Sequence, residues 1–382
     1  MTGSEPVTVR WNDYSLSTEQ EDLRRVLRQF FERSCPPEVV RAAEPRGADD
    51  GLWAAALRAG VVGISLPESA GGQGGGLLEL VLTAEEIGRS LAPVPVADHV
   101  VAARLLASGA DHHPDLAPAV HGDLVLALAP LSGERPGPQL VPGGAVARGV
   151  LARVGADLTL LRRPRPPERA ANDAGAPLAW WDPADPEVDV EVLASGGRAR
   201  DCWTGALGEW RVATAAALVG LAAGACALAR DYSMERTAFG VPIASFQAVS
   251  HNLVDAHMTV ETARNLVLRA AWYHAHEPAA RPELPAMALG HAIRTATDVT
   301  ARSVHVHGGF GITLESDVSL YHRRAAVWGQ PAGGARAQRL AATPALDRLV
   351  ARRRAWAAAR AQAAPDGPVA VPDPGPLSME SR

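Results

Sequence analysis

Residues 235–247 read Glu235-Arg-Thr-Ala-Phe-Gly-Val-Pro-Ile-Ala-Ser-Phe-Gln247, a turn-rich stretch between two long helical patterns. Gly240 and Pro242 favour a tight turn there, because glycine tolerates a positive φ and proline interrupts a helix. The flanking patterns cover about 207–235 and 245–276, and a third covers about 284–306. Apolar residues recur at helical spacing over many turns of the second pattern. We therefore predict a helical bundle over residues 205–364.

The sequence before this bundle divides into two parts of different composition. Residues 1–122 contain mainly amphipathic helical patterns, the first of which follows the capping residue Ser17. Residues 123–204 contain short apolar and β-branched runs separated by proline and glycine, which predicts a small β domain. Residues 365–382 are rich in proline and are predicted to be disordered. The predicted fold class is mainly α with a small β domain.

Composition excludes several classes of function. The chain has 382 residues and a formal net charge of -5, which gives no basic surface for nucleic acid. Its 3 cysteines are far apart in the sequence, and its histidine pairs lack partners at ligand spacing, so neither a disulfide framework nor a metal site is predicted. We predict no signal sequence and no membrane span. A reducing cytoplasm fits this composition best.

Four strings of residues resemble those of the acyl-CoA dehydrogenase family in order and spacing. They are Gly60-Val-Val-Gly-Ile-Ser-Leu-Pro-Glu with Gly71-Gly-Gln-Gly, Glu85-Glu-Ile-Gly-Arg-Ser, the 235–247 stretch, and His307-Gly-Gly-Phe-Gly-Ile-Thr-Leu-Glu. The resemblance extends over nearly the whole chain except the middle region and the tail. It implies an N-terminal helical domain, a middle β domain and a C-terminal helical bundle. It also implies FAD as cofactor, an acyl-CoA substrate, and an electron-transferring flavoprotein as electron acceptor.

The resemblance assigns several residues to the cofactor. Arg236 would bind the FAD pyrophosphate, a role that suits a guanidinium because it can form two parallel hydrogen bonds to a phosphate. Phe239 would pack near the adenine, and Gln247 would hydrogen-bond the flavin nucleotide. His305 replaces a glutamine that family members usually place among the nucleotide contacts.

A second group of cofactor contacts implies an oligomer. In the family, the segment that contains Gly308 and Gly309 meets the pyrophosphate of the FAD held by the neighbouring subunit, and glycine allows that close approach. We therefore expect the chain to form a homo- or hetero-oligomer, with FAD at the subunit interface. The middle region lacks the Trp-Ile-Thr type of segment that lies against the flavin ring in other members.

The catalytic base of the family is missing at its usual position. Members commonly carry a glutamate in a Glu-Gly-Thr loop shortly before a Gln-Arg-Leu helix, but the corresponding residue here is Ala332, which cannot accept a proton. Some members place the base on the first bundle helix instead, and counting back from Arg236 reaches Trp210, next to Glu209. Glu209 is therefore a candidate base; the alternative is an acid stabilised by the N-terminus of its helix.

Three functions remain compatible with this sequence. The chain could be a self-sufficient FAD-dependent acyl-CoA dehydrogenase that uses Glu209 or another base. It could be the base-deficient subunit of a hetero-oligomer in which a paralogous subunit supplies the glutamate, an arrangement similar to that of some actinobacterial steroid side-chain dehydrogenases. It could also be a non-redox lyase, cyclase or hydratase-like enzyme on the same fold, because a fold does not determine a function.

Overall fold

The structure is a computed structural model that describes residues 14–110, 112–133 and 137–363. The segment 365–382, predicted to be disordered, lies outside these residues. Along the described chain, a helical region is followed by a small sheet region and then by a helical bundle. The prediction of a mainly α fold with a small β domain is confirmed.

The N-terminal helical region begins where the sequence provides a helix cap. The side chain of Ser17 accepts a hydrogen bond from the backbone N–H of Gln20, and the Gln20 side chain accepts one from the backbone of Ser17. The first helix then buries Leu27 and Phe31 in the core. The region contains α1 (Thr18–Ser34), α2 (Pro37–Ala42), α3 (Asp50–Arg58), α4 (Leu77–Arg89), α5 (Val96–Gly109) and α6 (Leu116–His121). The sequence pattern does not predict α2 and α6, because each is only 6 residues long.

The middle region contains one four-stranded sheet and a separate pair of strands. The sheet has the order β1-β3-β4-β6, in which β1 is parallel to β3 and the other neighbours are antiparallel. The antiparallel pair β2-β5 carries Trp181, whose side chain is fully buried. The strands are β1 (Leu126–Leu128), β2 (Gln139–Val141), β3 (Gly149–Val154), β4 (Asp157–Arg162), β5 (Ala179–Trp181) and β6 (Asp189–Ser195).

The bundle starts earlier in the chain than its apolar pattern indicates. The sequence places its beginning at residue 205, whereas the first helix begins at Gly196. The additional turns are largely polar and bury only one side, through Ala199 and Trp203, so they show no continuous apolar run. The sequence also predicts a final arginine- and alanine-rich helix near residues 345–364, whereas the last helix begins at Gly334. The helices are α7 (Gly196–Glu235), α8 (Gln247–His276), α9 (Leu284–His307), α10 (Asp317–Val327) and α11 (Gly334–Ala363).

The central helix of the molecule is α7, which packs against α4, α5, α8, α9 and α10. It is long and apolar enough to cross a membrane, but 72% of its apolar window is buried inside the protein. A helix buried all round is typical of the core of a large domain. Its composition is therefore explained by the core of this fold.

The contact between α4 and α7 depends on two glycines that face each other. A Cβ atom added at Gly88 would lie 1.8 Å from the carbonyl oxygen of Ala217, and one added at Gly220 would lie 1.8 Å from that of Glu85. The helices therefore cross at a distance that only glycine allows. Glu86, in the same motif, is fully buried and forms an ion pair of 2.8 Å with Arg28. This motif has a structural role in the described chain.

Candidate functional site

The turn-rich stretch forms a hairpin that projects from the end of the bundle. Two short strands, β7 (Thr237–Ala238) and β8 (Val241–Pro242), pair in antiparallel register. Phe239 and Gly240 occupy the turn with φ of 53° and 82°, and positive φ at both positions is what a two-residue hairpin turn requires. The hairpin therefore presents the Phe239 side chain to solvent, with 97% of its surface exposed.

Arg236 stands between α7 and this hairpin with a fixed backbone and a free side chain. Its backbone N–H donates to the carbonyl oxygen of Tyr232, and its own carbonyl accepts from Ile243, both at 2.8 Å. The guanidinium is exposed and has no hydrogen-bond or ion-pair partner within the described part of the chain. Gln247, the first residue of α8, follows the hairpin and is also exposed. Both side chains are free to bind a ligand.

The glycines predicted to face a pyrophosphate lie at the same end of the bundle. The last residue of α9, His307, stacks its ring on that of Tyr232 with centroids 4.4 Å apart, which joins the end of α9 to the end of α7. Gly308 follows with φ of 64°, and a Cβ added at Gly308 or Gly309 would have no atom within 4 Å. The predicted contact His305 is exposed on the last turn of α9. The space outside these glycines is therefore open to a ligand or a second chain.

Large apolar side chains are exposed around this end of the bundle. A soluble monomer rarely shows a large contiguous apolar surface, and such surfaces commonly mark interfaces. We call this set the apolar end: Phe239 (97% exposed), Phe246 (37%), Phe310 (50%), Ile312 (74%) and Leu314 (69%). Its position next to Arg236 and Gly308 fits a site completed by another subunit.

A cavity of about 120 Å³ lies where the three regions of the fold meet. Its walls are mostly apolar and come from α4, α5 and the loop between them, from loops of the sheet region, and from α7, α10 and the turn after α10. The polar side chains that line it are Asp98, Thr214 and Arg324, together with the indoles of Trp210 and Trp328. This is the cavity closest to both predicted positions of a catalytic base.

Neither base position carries a proton acceptor. Ala332 is buried behind Pro331, which lines the cavity, and the Ala332 carbonyl accepts a hydrogen bond of 2.7 Å from the Gln338 side chain. Trp210, at the alternative position on α7, is also buried and lines the cavity with its indole ring. An alanine methyl group and an indole cannot take a proton from a substrate.

Glu209 is held away from this cavity by an ion pair. Both of its carboxylate oxygens accept hydrogen bonds from the Arg104 guanidinium, each at 2.9 Å. Arg104 also donates to the Ser65 carbonyl at 2.7 Å, which fixes the pair between α5 and α7. Glu209 is absent from the residues that line the cavity. The arrangement favours a structural role, while the assignment of Glu209 as a base stays a prediction.

The carboxyl group that does face the cavity, Asp98, is not among the residues predicted from the sequence. Asp98 lies on α5, and its Oδ1 accepts a hydrogen bond of 2.8 Å from the Trp210 indole N–H. Burial raises the pKa of Asp98 to about 6, although the Trp210 hydrogen bond acts in the opposite direction. A sequence signal exists, because Asp98 is the only acid in the apolar helix Val96–Gly109.

The geometry divides the predicted site residues into two groups. Arg236, Phe239, Gln247, His305, Gly308 and Gly309 lie at the exposed end of the bundle. This free guanidinium, exposed aromatic ring and open pair of glycines fit the pyrophosphate and adenine part of FAD. Trp210 lines the cavity instead, and Ala332 is buried next to the lining residue Pro331. The described residues contain no group of three histidine, cysteine, aspartate or glutamate side chains that could hold a metal ion.

Two helical regions around a small sheet, with a cavity where they meet, define a fold of the acyl-CoA dehydrogenase type. The model of the acyl-CoA dehydrogenase N-terminal domain matches residues 17–113, and that of the C-terminal domain matches residues 201–343. This chain belongs to the acyl-CoA dehydrogenase family. Members of the family bind FAD and are oxidoreductases.

Individual relatives give the same result. The acyl-CoA dehydrogenase IpdE2 of Mycolicibacterium smegmatis is 30% identical over 327 residues, which cover 81% of this chain and 93% of the relative. The steroid ACAD Tcur3481-Tcur3483 has a chain with a TM-score of 0.77 and 28% identity, covering 87% of this chain and 99% of that one. The ChsE4-ChsE5 complex from Mycobacterium tuberculosis has one with a TM-score of 0.75 and 27% identity, covering 88% and 99%.

Proposed function

We propose that this chain is the base-deficient subunit of a hetero-oligomeric acyl-CoA dehydrogenase. A paralogous subunit would supply the glutamate that removes the α-proton of an acyl-CoA thioester. The observation that carries this proposal is that both base positions, Ala332 and Trp210, hold side chains unable to accept a proton. FAD, when bound, would accept the hydride from the β-carbon and pass its electrons to an electron-transferring flavoprotein.

The role proposed for this chain is to complete the cofactor site of its partner. Arg236 would bind the pyrophosphate through its free guanidinium, and Phe239 would cover the adenine. Gln247 and His305 would contact the nucleotide, while Gly308 and Gly309 would let the backbone approach it. Burial of the apolar end would stabilise the assembly. Two solved relatives whose names give paired chains, Tcur3481-Tcur3483 and ChsE4-ChsE5, support a pair of unlike subunits.

The test compares the chain alone with the chain co-expressed with a glutamate-bearing paralogue from the same genome. The visible absorption spectrum measures bound flavin, and bleaching on addition of acyl-CoA thioesters measures dehydrogenation. We expect colourless protein from the chain alone and a yellow complex that bleaches. Full flavin occupancy with bleaching in the chain alone would contradict the proposal, and a complex without flavin would favour the non-redox alternative.

Substitution of Arg236 tests its role in the same complex. Arg236→Ala is expected to lower the FAD content of the complex while subunit association, measured by size-exclusion chromatography, is retained. Arg230→Ala is the matched control, because Arg230 is exposed near the end of α7 and forms an ion pair of 2.7 Å with Asp231. Unchanged flavin content in Arg236→Ala would remove Arg236 from the cofactor site.

Asp98 supports a second candidate, a self-sufficient dehydrogenase. It is the only carboxyl group among the residues that line the cavity, and its pKa of about 6 suits a proton acceptor near neutral pH. In this case the chain alone would bind flavin and be bleached by acyl-CoA, and Asp98→Asn would abolish bleaching while flavin stays bound. Bleaching that persists in Asp98→Asn would exclude Asp98 as the base.

A further inference from the structure

Arg324 is a buried guanidinium without a hydrogen-bond partner. It lies on α10, lines the cavity between the three regions, and is 4% exposed. Its Nη1 atom is buried and has no hydrogen-bond acceptor, and no hydrogen bond from its other nitrogens is present in the described chain. Burial lowers the pKa of Arg324 to about 10. A buried guanidinium without a hydrogen-bond acceptor is costly, because proteins normally satisfy buried charges with hydrogen bonds as well as ion pairs.

The nearest carboxylate does not satisfy this guanidinium. Glu44 Oε1 lies 3.7 Å from Arg324 Nη1, beyond hydrogen-bonding distance, and lies 2.7 Å from Nη2 of the neighbouring Arg323. The Glu44 carboxylate is therefore shared by the guanidinium groups of Arg323 and Arg324, so a net positive charge remains beside the cavity. The other ionisable side chain that lines the cavity is Asp98, which is bonded to Trp210 and makes no ion pair with Arg324 among the described residues.

The remaining walls of the cavity restrict the kind of anion that fits. They consist largely of apolar side chains from α4 and its following loop, from the sheet region and from α7. A ligand that satisfies both features has an apolar body and one anionic end. Apolar walls with a few placed polar groups are typical of small-molecule sites.

We propose that this cavity binds a small apolar carboxylate, with the carboxylate group on the Arg324 guanidinium. The carboxylate could be that of a free acid or the distal carboxylate of an acyl group carried as a CoA thioester. This inference does not depend on the proposed FAD-site function, because it concerns binding in the cavity of this chain without turnover.

Calorimetric titration of the purified full-length chain, or of its complex if the chain is insoluble alone, tests the proposal. The probes form two matched pairs: pentanoate with the neutral pentanamide, and glutaryl-CoA with pentanoyl-CoA. We expect the anionic member of at least one pair to bind about tenfold or more tightly, as expected for a hydrogen bond to a charged group. A preference for pentanoate identifies a free acid, and a preference for glutaryl-CoA alone identifies an acyl group. Equal affinities within both pairs would overturn the proposal.

The variant Arg324→Met separates a ligand site from a structural ion pair. A ligand site predicts loss of the preference for the anion and a melting midpoint at least as high as that of the wild type, because a buried charge without a hydrogen bond is removed. Arg336→Met, an exposed arginine near the start of α11, is the control and should retain the preference. A persistent preference in Arg324→Met, or a large fall in its melting midpoint, would refute the assignment.

Discussion

Replacing Asp98 with asparagine should stabilise the protein above about pH 6 and leave its stability unchanged near pH 4. The side-chain oxygen of asparagine can still accept the Trp210 indole hydrogen bond, which is 2.8 Å long in the structure. The substitution therefore removes the ionisable group while it preserves the contact and nearly the same volume. The free-energy cost of burying an ionised carboxyl is then the main difference in stability between the two proteins.

The magnitude follows from the shift of the pKa. A carboxyl whose pKa rises from 3.8 to about 6 on folding costs the folded state about 3 kcal/mol once it is ionised. Because the folded-state pKa is raised, the stabilising contribution of the protonated form is present below pH 3.8 and is lost as the pH rises through about 6. Because Asp98 is only partly buried, solvent screening reduces this cost, so we expect Asp98→Asn to gain about 1–3 kcal/mol at pH 8.

Urea unfolding followed by tryptophan fluorescence measures this gain between about pH 4 and pH 8. Asp201→Asn is the control, because Asp201 is exposed on α7, and its stability should follow that of the wild type throughout. The difference between Asp98→Asn and wild type should increase between about pH 4 and pH 6 and level off above the folded-state pKa of about 6. A constant difference over the whole range, or destabilisation at pH 8, would mean that ionised Asp98 is better solvated or bonded than its burial indicates.

Three further outcomes test other parts of the structure. Gly88→Ala should lower the free energy of unfolding by about 3 kcal/mol or more, because its Cβ would meet a backbone oxygen at 1.8 Å. Gly205→Ala is the control and should raise the free energy of unfolding by about 0.5–1 kcal/mol, because a Cβ added there would have no atom within 4 Å. Equal effects of the two substitutions in urea unfolding would contradict the close crossing of α4 and α7. Glu209→Gln should lower stability by about 1–2 kcal/mol and leave the flavin content and turnover of the complex intact, while loss of turnover with flavin bound would identify Glu209 as the base. Burial raises the pKa of Cys35 to about 12, so iodoacetamide at about pH 8 should label the partly exposed Cys202 and not Cys35. Mass spectrometry measures the labelling of each cysteine, and equal labelling would contradict the burial of Cys35.

The sequence predicts those parts of the fold whose signal lies within one element. The apolar period of α8 and the turn residues Gly240 and Pro242 are local, and the structure has the expected helix and the expected turn, which lies within a hairpin. The starts of α7 and α11 were placed too late, because their first turns are polar or glycine-rich and bury one side only through tertiary contacts. A helix that is stabilised by tertiary contacts need not show an apolar period in its sequence.

The cavity could not be predicted from local patterns, because its polar groups come from distant parts of the chain. Asp98 lies on α5, Trp210 on α7 and Arg324 on α10, and each alone resembles an ordinary residue of its helix. Their significance depends on burial and on which partners are absent, and both are properties of the assembled fold. The family motifs also draw attention to position 332, where an alanine offers no chemistry.

Asp98 and Arg324, the two ionisable side chains that line the cavity, differ in whether they can become neutral when buried. Asp98 is costly only when ionised, and it becomes neutral by taking up a proton near pH 6. Arg324 cannot become neutral in this way, because a pKa of about 10 keeps its guanidinium protonated at every physiological pH. A protonatable acid can be explained by the cavity alone, but the Arg324 guanidinium has no hydrogen-bond acceptor among the described residues and shares the Glu44 carboxylate with Arg323. Arg324 is therefore the stronger indication that the cavity binds an anionic ligand.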